Sequence, residues 1–86
     1  MKILKISEKT IDIFNCINLE NIIGFYKDTR SNYQIYTIIF ITDKWRFKLH
    51  FKDSDYSEKC FKEILNFIKN KEISILEVEC ERFENS

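Results

Sequence analysis

The chain has 86 residues, of which 14 are basic and 14 acidic, and its aromatic content of 15% is that of a folded chain. This length suits a single domain with one core, which we place over residues 1–86. Zero net charge argues against a protein devoted to duplex DNA, because neutralising phosphates supplies most of the affinity of such proteins.

Compartment and source are indicated by composition. No apolar run approaches the roughly 20 residues of a membrane span, and lysines interrupt the apolar N-terminus, so we expect a cytoplasmic protein without a signal peptide. The three cysteines, Cys16, Cys60 and Cys80, are odd in number and widely spaced, which favours reduced, buried thiols. Frequent Ile, Lys, Asn, Phe and Tyr have codons rich in A and T, which indicates a bacterial or phage genome of low G+C content.

The N-terminal part alternates short apolar segments with turn-forming residues. Strands are predicted at residues 1–6, 10–16 and 22–27, with turns at 7–9 and 18–21 between them. Gly24 predicts a bulge or a close backbone approach in the third strand. The polar residues 28–32 predict a loop.

The most regular pattern in the chain predicts a β-hairpin. Residues 33–42 are almost all β-branched or aromatic, residues 44–52 alternate apolar with polar, and Asp43-Lys44 makes a tight turn between them. One face of this hairpin is apolar on both strands, and we interpret it as the core face. Its predicted cross-strand pairs are Tyr36–Phe51, Ile38–Leu49, Phe40–Phe47 and Thr42–Trp45.

Residues 55–70 change to the period of an amphipathic helix. Its apolar stripe is predicted as Cys60, Phe61, Ile64, Leu65 and Ile68. Asp55 and Glu58 have the spacing of a capping box, and Asp53 or Ser54 is the alternative cap. Residues 73–83 return to period two and predict either a sixth edge strand or a tail. The predicted fold class is therefore α+β: an antiparallel β-meander of about five strands covered by one C-terminal amphipathic helix.

The face of the hairpin opposite the core combines an apolar strand with a basic one. Its residues are Ile35, Thr37, Ile39 and Ile41 on the first strand, beside Lys52, His50, Lys48 and Arg46 on the second. Antiparallel sheets usually place polar residues on the solvated side, so three isoleucines there are unexpected. An exposed apolar stripe of this kind indicates an interaction site.

Three interpretations of this face stay open. In the first, the initial strands or the tail cover the isoleucines, and glutamates of the C-terminal segment pair with the basic strand. Those glutamates are Glu77, Glu79 and Glu81, and their partners are Arg46, Lys48 and Lys52. In the second, another copy of the chain or a different protein packs there. In the third, single-stranded nucleic acid crosses the face and stacks on Tyr26, Tyr33 or Trp45, although Trp45 falls on the core side in the predicted register.

No motif in the chain predicts catalysis or metal binding. A nucleophilic pair of His50 with a cysteine, or a zinc site made of His50 and the three cysteines, lacks supporting spacing, because the cysteines form no Cys-x-x-Cys pair. Asp53-Ser54-Asp55 resembles half of a calcium loop without its glycine and distal glutamate. We therefore expect no catalytic residues, no metal and no cofactor.

The run INLENII at residues 17–23, followed by a Trp-bearing hairpin and an acid-capped helix, resembles short uncharacterised proteins of low-GC bacteria and their phages. This resemblance covers residues 10–70. The order of elements is also similar to single-stranded DNA-binding coactivator domains and, more distantly, to pleckstrin-homology-like barrels. The former resemblance implies a dimer that binds single strands across its sheets. The expected function is a non-enzymatic interaction module that self-associates through the outer hairpin face, or alternatively a single-stranded nucleic-acid binder using residues 46–52.

Overall fold

The computed structural model describes residues 2–28 and 35–85, without the side chains of Asp12 and Ile13. Most of the predicted loop at 28–32, and Tyr33, lie outside the described residues. The elements are β1 (Ile3–Glu8), β2 (Ile11–Asn18), β3 (Ile22–Asp28), β4 (Tyr36–Thr42), β5 (Arg46–Phe51), α1 (Ser54–Lys69), β6 (Ile75–Cys80) and β7 (Arg82–Asn85). A 3₁₀ turn, Leu19–Asn21, joins β2 to β3.

The described strands form two sheets rather than one meander. Sheet A has the order β2-β1-β6, and sheet B has the order β3-β4-β5-β7. β6 runs parallel to β1, whereas the other four pairings are antiparallel. The α+β class with one covering helix is confirmed. The sixth segment is a strand at an edge of sheet A and not a tail, and β7 is a further strand that the sequence pattern did not predict.

The hairpin of β4 and β5 has the predicted register, with Phe40 opposite Phe47 and Ile38 opposite Leu49. The predicted bulge in β3 is also present, because the pairing with β4 shifts between Ile22 and Gly24. The residues of the hairpin that are buried on the core side are Ile38, Phe40, Leu49 and Phe51.

The helix α1 begins after Asp53, which is one of the two alternative caps, and the capping box predicted at Asp55 is wrong. The Oδ1 of Asp53 accepts hydrogen bonds from the backbone N–H groups of Asp55 at 2.8 Å and Tyr56 at 3.2 Å. At the other end, the N–H of Asn70 donates to the carbonyl oxygen of Asn66 at 3.0 Å and ends the helix.

The buried side of α1 is rotated from the predicted stripe. Phe67 is buried, whereas Leu65 and Ile68 are exposed. Because 3.6 residues make one turn, a stripe through Cys60 and Ile64 can continue at Phe67. Leu65 and Ile68 then lie on the solvent side of the helix. The buried residues of the helix are Ser57, Cys60, Ile64 and Phe67.

One hydrophobic core fills the space between the two sheets and the helix. Sheet A contributes Leu4, Ile6, Ile17, Val78 and Cys80. Among the described residues the chain crosses between the sheets three times: at the 3₁₀ turn, through α1 from β5 to β6, and at Glu81, which separates β6 from β7. The N–H of Glu81 donates to the carbonyl oxygen of His50 at 2.9 Å, which fixes the third crossing.

Candidate interaction surfaces

The outer face of sheet B, opposite the core, carries the residues that the sequence indicated. Register pairs Ile41 with Arg46, Ile39 with Lys48, and Thr37 with His50, as predicted. The other two predicted members lie apart from these rows: Ile35 precedes β4, and Lys52 follows β5.

The predicted exposure of the isoleucine stripe is wrong at its centre. Ile39 is only 5% exposed, although it lies on the outer face. β4 is an interior strand of sheet B, so Ile39 has Tyr26 on one side and Lys48 on the other. Long side chains on both neighbouring strands can cover an apolar residue between them. Ile41 is half-buried, and Ile35 is exposed.

The glutamate ladder of the first interpretation is wrong for Glu77 and Glu79, which lie in sheet A, whereas Glu81 does lie near Lys52. Glu77 lies in sheet A, where its carboxylate is 3.4 Å from the Lys5 ammonium. The acid beside the basic strand is instead Glu84 of β7, which lies opposite Lys48. The pattern missed this because Glu84 belongs to a four-residue strand at the end of the chain.

His50 connects three strands of the outer face. Its Nδ1 is 3.0 Å from the Thr37 hydroxyl, and its Nε2 is 3.0 Å from the Glu84 carboxylate. The hydrogen bond to His50 lowers the pKa of Glu84 below its ordinary value. A hydrogen-bonded row of a hydroxyl, an imidazole and a carboxylate resembles a catalytic nucleophile with its general base. Here they lie side by side on three adjacent strands and satisfy one another, so we interpret them as a cross-strand network that holds β7 in place.

Lys52, at the other end of β5, lines a small cleft of about 320 Å³. It contains the ion pair of Lys9 with Glu81, whose charged atoms are 2.9 Å apart. The hydrogen bond between them raises the pKa of Lys9 and lowers that of Glu81. Tyr56 also lines this cleft, and its burial raises the pKa of its phenol to about 12. Lys52 is thus grouped with these residues and not with Arg46.

The cysteines do not form a metal site. Cys60 and Cys80 are buried as predicted, but Cys16 is exposed on the edge strand β2. Among the described residues, no three His, Cys, Asp or Glu side chains come together in a metal-binding group.

A larger cleft of about 670 Å³ lies at the corner where β2 turns into β3, and we call it the corner cleft. It is bordered by β2, the 3₁₀ turn, the start of β3 and the turn between β4 and β5. Its lining residues are Cys16, Ile17, Asn18, Glu20, Asn21, Ile22, Ile23, Thr42, Asp43, Lys44, Trp45 and Phe47.

Two of the most exposed large apolar side chains of the described chain flank the corner cleft. Ile23 is 73% exposed and Trp45 is 54% exposed. Ile23 is turned outward at the bulge of β3. Trp45 follows the turn and lines the cleft together with Phe47, so its predicted side of the hairpin is right and its predicted burial is wrong. It is not part of the hydrophobic core, and about half of it is exposed.

Local hydrogen bonds fix both walls of the corner cleft. The Thr42 hydroxyl accepts a hydrogen bond from the Trp45 N–H at 2.9 Å, and the Thr42 N–H donates to the Trp45 carbonyl oxygen at 2.9 Å. On the opposite wall, the Asn18 side chain accepts from the Glu20 N–H at 3.0 Å and caps the 3₁₀ turn. Buried Leu19 anchors that turn in the core. The cleft is therefore largely preformed.

The sequence contained only part of the signal for the corner cleft. Trp45 and the polar run after β2 were visible, but the cleft combines three segments that are separated along the chain. Its charged residues are Glu20, Asp43 and Lys44, so its rim carries one net negative charge. Apolar walls with a few polar groups suit a ligand that presents apolar side chains and hydrogen-bonding backbone.

Across residues 2–28 and 35–85, no helix has the length and apolar character that crossing a membrane requires. No protein-family model, no curated protein and no solved structure matches this chain. The resemblances to short bacterial and phage proteins, to coactivator domains and to pleckstrin-homology-like barrels therefore stay predictions.

Proposed function

We propose that this chain is a non-enzymatic protein-binding module and that the corner cleft receives an extended segment of a partner protein. The observation that carries this proposal is the pair of exposed apolar side chains, Trp45 and Ile23, at one preformed cleft. Exposed apolar side chains around a concave site are typical of interaction surfaces, and tryptophan is among the commonest energetic anchors. A reducing, cytoplasmic setting fits the three free thiols.

The free edge of β2 supports binding by strand addition. β2 is the outer strand of sheet A, and its residues Cys16, Ile17 and Asn18 border the cleft. An edge strand presents unpaired N–H and C=O groups to an incoming strand. β3 is also an edge strand, but the bulge at Ile23 interrupts its ladder. An added strand on β2 places alternate side chains in the cleft, between Trp45 and Ile23.

Charge narrows the class of partner. With Glu20 and Asp43 against Lys44, the rim of the cleft repels a polyanion and favours a neutral or basic segment. Nucleic acid is therefore a poor occupant of this cleft.

The experiment is selection of displayed peptides of random sequence on the wild-type chain, followed by affinity measurement on variants. We expect selected peptides to share apolar residues at alternate positions, because only every second side chain of an added strand faces the cleft. Trp45→Ala should weaken them by about thirtyfold or more, as for a central anchor. Methylating alternate backbone nitrogens of the best peptide should abolish binding, since it removes the donors of the added strand.

Ile68→Ala is the matched control, because Ile68 is exposed on α1 and does not line the cleft. It should leave peptide affinity unchanged. Selected peptides that bind Trp45→Ala as tightly as the wild type, or no selection above a scrambled library, would overturn the proposal.

A further inference from the structure

The outer face of sheet B has a different chemistry from the corner cleft, and the two are independent. We infer that this face binds single-stranded nucleic acid. The face is four strands wide, and its central rows run from Tyr26 through Ile39 and Lys48 to Glu84, and from Asp28 through Thr37 and His50 to Arg82. The face therefore carries two carboxylates, Asp28 and Glu84, besides its cations.

Three cations lie on this face, on two neighbouring strands. Arg46 and Lys48 are on β5, and Arg82 joins them on β7 opposite His50. Within the described residues, Arg46 and Lys48 form no ion pair and can approach phosphates, although Glu84 lies opposite Lys48 and is attracted to its charge. The nearest carboxylate, Glu84, is occupied by His50 at 3.0 Å and by Arg82 at 3.4 Å. The third cation, Arg82, is therefore already paired with the acid of its own strand.

One exposed aromatic ring lies on the same face. Tyr26 is 42% exposed and lies two strands from Lys48, with Ile39 between them. Two residues before it, Gly24 lies opposite Ile41 and contributes no side chain. The Ile41 side chain lies over Gly24, so the ring borders an apolar area next to which a base can stack. Sheets bind single strands by stacking the bases on aromatic side chains, while cationic side chains contact the phosphate backbone.

The shape of the surface selects single strands over duplexes. Duplex readout places a helix or a narrow ribbon in a groove, whereas a broad sheet face meets bases that are already unstacked. The corner cleft does not compete for this ligand, because its rim carries net negative charge.

The experiment is fluorescence anisotropy with labelled single-stranded DNA and RNA of roughly 16 nucleotides, between about 50 and about 200 mM salt. We expect binding that weakens with salt with a logarithmic slope of about −1.4, because the two unpaired cations contribute about 0.7 each. Lys48→Glu should weaken binding by about tenfold or more and reduce the slope. Tyr26→Ala should weaken it by at least about fivefold with the slope unchanged, since it removes stacking and no charge.

Lys62→Glu is the matched control, because it makes the same charge change on the exposed side of α1. It should leave binding unchanged, and so should Trp45→Ala, which separates this surface from the corner cleft. Arg46→Glu repeats the charge test in case Lys48→Glu fails to fold.

Three outcomes would overturn the inference. Absence of binding at low salt is the first. The second is unspecific attraction to polyanions. It would be indicated if Lys48→Glu and Lys62→Glu lowered the affinity equally, or if inorganic polyphosphate competed as well as an unlabelled oligonucleotide and Tyr26→Ala had no effect. A dimer that Lys48→Glu dissociates, and that binds no oligonucleotide, would assign the face to a second copy of the chain.

Discussion

Glu84 on β7 and His50 on β5 are joined across the sheet by a hydrogen bond of 3.0 Å between Oε1 and Nε2. This bond lowers the pKa of the carboxyl group. A carboxylate whose pKa is depressed by folding stabilises the fold above its unfolded pKa of about 4.3, and this stabilisation is lost as the pH falls through the folded pKa. The strand β7 is therefore held more firmly when Glu84 is ionised than when it is protonated.

We expect β7 to loosen from β5 as the pH falls below about 4, measured as loss of amide-exchange protection in residues 82–85. Glu84→Gln should flatten this acid response and lower the unfolding temperature at neutral pH. Glu72→Gln, which removes the same charge away from β7, should leave the response as in the wild type. An acid response of Glu84→Gln identical to that of the wild type would contradict the role of this hydrogen bond.

The orientation of α1 is tested by two neighbouring apolar residues. Phe67→Ala should cost about 3–5 kcal/mol in the free energy of unfolding, because Phe67 is buried in the core. Leu65→Ala should cost less than about 1 kcal/mol, because Leu65 faces solvent. Urea denaturation of both variants measures the difference. Equal costs would favour the stripe that the sequence predicted.

Of the three thiols, only that of Cys16 should react with an alkylating reagent in the folded chain. Burial raises the pKa of the Cys60 thiol and raises that of Cys80 to about 12, so neither forms a thiolate readily. Cys16 is exposed, and we expect iodoacetamide to label it alone in the folded chain. Mass spectrometry of the wild type and of Cys16→Ser checks this. Because Cys16 borders the corner cleft, a selected peptide should slow its labelling. Labelling of all three thiols at one rate would contradict their burial.

Self-association through the outer face of sheet B can be measured by light scattering on a sizing column at two salt concentrations. A stable interface needs about 800 Å² from each partner, and the burial of Ile39 leaves little apolar surface there. We therefore expect a monomer at micromolar concentration. A salt-resistant dimer that Ile41→Asp dissociates would instead support the sheet-face dimer that the sequence suggested.

The β4–β5 hairpin was predictable to the residue because its information is local. Alternation with period two and a two-residue turn fix which side chains face each other, so the pairs of Ile39 with Lys48 and Thr37 with His50 followed directly. Exposure did not follow from the same pattern, since it depends on neighbours in other segments. Tyr26 reaches Ile39 through β3, and no sequence period reports that contact.

The division into two sheets could not be predicted, because it depends on pairing between distant segments. Ile3 lies beside Ile75 in a parallel ladder, while β2 and β3 separate at the 3₁₀ turn. The corner cleft arises from that separation, so it was invisible for the same reason. The buried side of α1 could not be predicted either. Leu65 and Phe67 are both apolar, and either fits a helical stripe.

The side-by-side arrangement of β1 and β6 has a consequence for how the chain is made. β1 is synthesised before β6, the strand that completes its sheet, and four described strands and the helix come between them. Until β6 is made, Leu4 and Ile6 have a neighbour on one side only, and closing so long a loop makes this a slow step. Any messenger that ends before residue 75 should therefore yield a product that is degraded rather than folded.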